Sequence, residues 1–68
     1  MHLKGVVIML TISFVSGETE LFDLKQSESD LFKNWFYNFE NSRPHEINTM
    51  GKKYLFNKKA IDYIEIEP

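Results

Sequence analysis

LKGVVIMLTISFV, residues 3–15, is apolar over most of its length and rich in β-branched side chains: Val6, Val7, Ile8, Thr11, Ile12 and Val15. Such residues fit a pleated, extended chain better than a helix. Side chains alternate across a strand with period two. Val6, Ile8, Leu10, Ile12 and Phe14 therefore share one face, and Val7, Met9, Thr11, Ser13 and Val15 the other. The first half is apolar on both faces, a pattern that calls for cover on both sides. A competing reading comes from the flanks, because His2 and Lys4 before the run and Ser16-Gly17 after it give the outline of a secretory signal. Signal cores are Leu- and Ala-rich, whereas this run is β-branched and is interrupted by Thr11 and Ser13, so a long strand is expected. It is too short to cross a membrane as a helix, which takes about 20 residues. MLTISFVSGE, from Met9, also reads as a beginning, and on that reading much of the doubly apolar half disappears.

After this strand Ser16-Gly17-Glu18 is a turn, and Thr19–Leu24 (TELFDL) returns as a second strand. Gln26–Asp30 (QSESD) starts a helix. Ser27 with Asp30 resembles a capping box, Ser29 is a rival cap, and Glu28 and Asp30 suit the first turn of the helix dipole. Leu31, Phe32, Trp35, Phe36 and Phe39 then fall on one stripe at helical period. Pro44 cannot continue a helix and disfavours helical geometry at Arg43, so Asn41–Pro44 is its expected end. Two more strands follow, Glu46–Met50 and Lys53–Phe56, about a tight turn at Gly51-Lys52. Asn57 is placed to cap one helical turn, and Ile61–Ile66 (IDYIEI) closes the chain as a strand. The predicted order is β-β-α-β-β-β: one α+β domain over residues 1–68, a mostly antiparallel sheet with one amphipathic helix packed on one face. One helix covers one side of the sheet, and the other side must be solvated or covered by something else.

Sixty-eight residues make one domain with a small core, for which the usual supplements are disulfides, a metal or self-association. The chain has no cysteine, which excludes disulfides and thiolate metal sites and requires no oxidising compartment. Apolar residues at 43% and aromatics at 15% support a folded core. A net charge of −2 gives no overall basic footprint for nucleic acid.

Signals for catalysis are weak. Of the two histidines, His2 is near the terminus and His45 beside Pro44, and neither stands at a diagnostic spacing from a nucleophile or carboxylate. Asp62, Glu65 and Glu67 read as a solvated strand face. The three glycines are isolated and form no phosphate loop. No catalytic residue, cofactor or metal site is therefore expected, and the chain reads as a non-enzyme acting in the cytoplasm, without a membrane segment.

Binding is the better expectation. The doubly apolar strand half (Val7 and Met9) and the aromatic helix (Trp35, with Tyr37 off the stripe) are candidate protein interfaces. A long apolar strand left at an edge invites pairing, which makes a homodimer the expected assembly. The alternative is nucleic-acid binding through Lys52, Lys53, Lys58 and Lys59, with Tyr54 stacking on bases. Successive turns of a meander lie at opposite ends of the sheet, which already separates the two lysine pairs. The tail GKKYLFNKKAIDYIEIEP, residues 51–68, resembles a recurring ending in small bacterial and phage sheet proteins. It covers about a quarter of the chain and brings no functional residues. The resemblance, with a composition suggesting a Gram-positive bacterium or its phage, implies a small regulator or inhibitor of a host protein.

Overall fold

In a computed structural model, residues 7–38 and 40–67 are described. The elements are β1 (Val7–Phe14), β2 (Thr19–Lys25), α1 (Gln26–Tyr37), β3 (His45–Thr49), β4 (Lys52–Phe56), a single 3₁₀ turn (Lys58–Ala60) and β5 (Ile61–Glu67). The α+β class and the element order expected from the sequence are those observed. Leu3–Val6, the first part of the expected strand, and Phe39 of the helix stripe lie outside the described residues.

The strands form two antiparallel sheets, one ordered β2-β1-β5 and the other the β3–β4 hairpin. β1 is therefore central, paired along both sides by β2 and β5. From Met9 to Phe14 this corrects the expectation of an open first strand, because both edges there are occupied by this chain's own backbone, whereas Val7 and Ile8 are paired by β2 alone. The unpaired edges among the described residues belong to β2, to β5, to the small hairpin and to the first two residues of β1 on its β5 side.

The alternation of β1 sorts its side chains as expected. Ile8, Leu10 and Ile12 are buried, and across from them lie Leu24, Phe22, Ile66 and Ile64. Helix and hairpin both sit on this inner face. Phe32 and Trp35 come from α1, Ile47 from β3 and Phe56 from β4, joined to Leu10, Ile12, Phe22, Leu24 and Ile61 in one core. Phe32 is the largest wholly buried side chain, its ring edge-on to Trp35, His45 and Phe56 at 5.2, 5.3 and 5.9 Å. Such edge-to-face pairs add to the burial itself.

β5 enters with a register shift. Phe14 lies opposite Ile61 and Ser13 opposite Tyr63, leaving Asp62 as the extra, exposed residue of a bulge. The bulge lets Ile61 point into the core although Ile64 and Ile66 follow at a different parity, something strict alternation forbids.

Candidate functional site

Of the two aromatic helix residues expected at a surface, Tyr37 is exposed and Trp35 is buried. Gln26–Tyr37 begins directly after β2 with Lys25 as its N-cap and no side-chain cap, so neither Ser27 nor Ser29 caps it. Ser29 is instead buried inside the first turns. Trp35 is 6% exposed, and its Nε1–H donates to the Arg43 carbonyl at 2.6 Å. Trp35 is thus a core residue that ties the helix to the loop after it, which corrects its assignment to an interface. Tyr37 is exposed, leaning on Phe36 with ring centroids 5.5 Å apart, and Leu31 is exposed as well. These two residues do not join the buried stripe and leave the helix surface otherwise polar.

The helix ends at Tyr37, well before Pro44. Asn38 and Asn41 then turn the chain with their side chains, Oδ1 of each accepting from the backbone N–H two residues on, at 3.2 and 3.1 Å. The last helical turn carries no basic residue. Lys58 supplies one from the 3₁₀ turn: its ammonium donates to the carbonyls of Asn38 and Asn41 and stands 5.3 Å from the centre of the Trp35 ring. A cation is favoured at this end of a helix, and over an indole face.

Lys58 is therefore committed to holding the fold. Lys53 lies 3.9 Å from Glu46 on the outer side of the hairpin. Lys52 is at the turn of the β3–β4 hairpin, whereas Lys59 sits in the 3₁₀ turn past the other end of β4. Tyr54 is half-buried, its ring edge-on to Phe22 at 5.0 Å and stacked on Phe56. The five residues of the nucleic-acid alternative are thus not brought to one surface. An open cleft of about 610 Å³ beside Asn41, Asn57, Lys58 and Lys59 is bordered by this same structural lysine.

His45 is the first residue of β3 rather than a loop residue, and its ring packs against Phe32 and Trp35. Burial holds its imidazole below the ordinary range, while the neighbouring Glu46 carboxylate acts in the opposite sense. Among the described residues no three His, Asp or Glu side chains converge as metal ligands. No helix among them is long and apolar enough to cross a membrane.

The surface that stands out is the outer face of the β2-β1-β5 sheet. Helix and hairpin both occupy the inner face, and no described element lies over the outer one. Val7 and Met9 are there, 58% and 38% exposed, as the sequence suggested. Register adds Leu21 on β2, opposite Thr11, and Tyr63 on β5, opposite Ser13; these are 61% and 51% exposed. Neither of these two residues is apparent from the sequence, because their place depends on which strand pairs with which and in what register. Ser13, although on this face, is buried between its neighbours Thr19 and Tyr63. Polar positions rim the patch: Asp23 and Lys25 on β2, Glu65 and Glu67 on β5.

No protein-family model matches the chain, and neither a curated protein nor a solved structure matches it.

Proposed function

We propose that this chain is a small, non-catalytic protein-binding module of the cytoplasm, a regulator or inhibitor that engages its partner through the outer face of the β2-β1-β5 sheet. The observation that carries this reading is the run of exposed Val7, Met9, Leu21 and Tyr63 on one continuous sheet face with no described element over it. An apolar patch rimmed by polar residues marks an interaction surface. Among the described residues no convergent metal-ligating set of ionisable groups stands there, which favours binding over chemistry.

Self-association through this face is the less favoured form. Burying this face against its own copy would bring three carboxylates from each chain, Asp23, Glu65 and Glu67, into one interface with a single base, Lys25, and an excess of like charge there is costly. Nucleic acid is disfavoured for the same reason, and also because Lys58 is already engaged by carbonyls of the fold.

The test compares wild type with Leu21→Asp and Tyr37→Asp in capture from lysate of the source cells. Both substituted residues are exposed, so circular dichroism should show all three proteins folded. A partner retained by wild type and Tyr37→Asp but lost by Leu21→Asp supports the sheet face. A partner lost only with Tyr37→Asp would move the interface to the helix, and capture of nothing above background would remove the binding reading. Sedimentation at high concentration should find a monomer.

A further inference from the structure

We infer that the partner element is a cationic amphipathic helix of another protein, an apolar stripe with Lys or Arg on both shoulders; the inference rests on the sheet-face reading above. Val7, Met9 and Thr11 run along the central strand. Across β2, Asp23 stands opposite Met9. Across β5, Glu67 stands opposite Met9 and Glu65 opposite Thr11. Met9 is thus held between carboxylates on both rims, Thr11 has Glu65 on one side and Leu21 on the other, and Lys25, the one base of the face among the described residues, lies opposite Val7 at the end of the row.

The dimensions suit a helix. Neighbouring strands are about 4.8 Å apart, so the outer two of three lie about 10 Å apart, close to the width of one helix. Val7–Ser13 spans about 20 Å of strand, matched by roughly 13 residues of helix at about 1.5 Å each. An apolar stripe laid along β1 meets Val7, Met9 and Leu21, while bases on its two shoulders reach Asp23 on one side and Glu65 and Glu67 on the other. All three carboxylates are exposed, so each pairing is weak by itself. Their place on both rims selects the sign of the partner's charge and speeds its arrival. The same three groups repel an anionic membrane, a phosphate backbone and a second copy of this face.

Synthetic helical peptides of about 14 residues test this. They share one leucine stripe and carry Lys, Gln or Glu on its shoulders, and a shuffled Lys/Leu peptide keeps composition but loses the stripe. Each is titrated at low salt into isotopically labelled protein, with the amide spectrum as readout. The Lys peptide should move amides of β1, β2 and β5 while leaving α1 in place, and bind at least about ten-fold tighter than the Gln, Glu and shuffled peptides. A triple variant, Asp23→Asn, Glu65→Gln and Glu67→Gln, should keep a dispersed spectrum and lose most of that preference. Equal binding of the Gln or Glu peptide at this face would overturn the charge assignment and leave the sheet-face reading standing. Shifts centred on the helix, equal binding of the shuffled peptide, or tighter binding to phosphatidylglycerol vesicles would overturn the inference too. Silence from every peptide overturns it as well, and the sheet-face reading then stands or falls on the Leu21→Asp comparison.

Discussion

Met50 holds a φ of 52° and Gly51 one of 74°, so both central residues of the β3–β4 turn are in the left-handed region. A two-residue turn of this kind matches the twist of a hairpin and favours Asn-Gly. Gly51 takes up the conformation freely, whereas Met50 does so against its Cβ and is 94% exposed, with no packing to compensate. Met50→Asn is therefore expected to stabilise the domain by about 0.5–1 kcal/mol, read as a higher midpoint of chemical unfolding. The sequence placed this turn one residue late, at Gly51-Lys52, because only the glycine announces itself. His45 is a second residue with a measurable consequence. Burial lowers its affinity for a proton in the folded chain, while the unfolded chain binds one near the ordinary value of about 6.5. Its contribution is thus fully present above that value and is lost as the pH falls through the folded one. Unfolding midpoints at pH 7.5 and 5.5 should drop further for wild type than for His45→Gln. An equal drop would mean that the ring is not desolvated in solution.

At the scale of the element, the helix shows how tertiary context replaces local signals. Its periodic stripe was legible, and Phe32 and Trp35 from that stripe are buried. Its start was not. QSESD offers two serine caps, yet the helix begins upstream of both, because β2 runs straight into it and sets Lys25 at φ −69° and ψ 156°. That extended geometry is the one a capping residue adopts, and Lys25 provides no acceptor for the free N–H groups of the first turn. Lys25→Asp is expected to gain about 0.5–1 kcal/mol by capping, with an added benefit from a negative charge at the positive end of the dipole. Thermal unfolding followed by circular dichroism measures it; a loss would show that Lys25 is held by a contact of its own on the sheet. β5 carries the same lesson. IDYIEI alternates in sequence, but the bulge at Asp62 changes which residues face inward partway along, and a bulge is set by the partner strand.

Over the whole molecule, the longest-range side-chain hydrogen bonds among the described residues are those of Lys58. It joins the 3₁₀ turn before β5 to the loop that leaves the helix, with hydrogen bonds reaching back 20 and 17 residues in the chain. Two charge-assisted hydrogen bonds and a cation over an indole ring hold the connection. Lys58→Ala should cost about 1–3 kcal/mol, whereas Lys59→Ala, at an exposed neighbour, should change stability by less than about 0.5 kcal/mol. Equal effects at the two positions would show that the amine makes no lasting contact with the carbonyls. The pair also illustrates why KK read as a surface charge cluster: identical residues side by side point different ways, and the chain gives no sign of which one turns inward.

Periodicity and local backbone chemistry were enough for several features of the fold. Alternation in residues 7–14 set which side of β1 is core, the helical stripe set which side of α1 is buried, and a glycine at each hairpin allowed the chain to reverse. Neighbours far along the chain settled the rest: the central place of β1, the register that brings Leu21 and Tyr63 to the face of Val7 and Met9, the hydrogen bond from Trp35 to Arg43, and the inward turn of Lys58. The reason is physical. A side chain's direction along a strand or helix follows from backbone geometry within a few residues, but its surroundings are set by segments tens of residues away, whose pairing is a property of the whole packed chain.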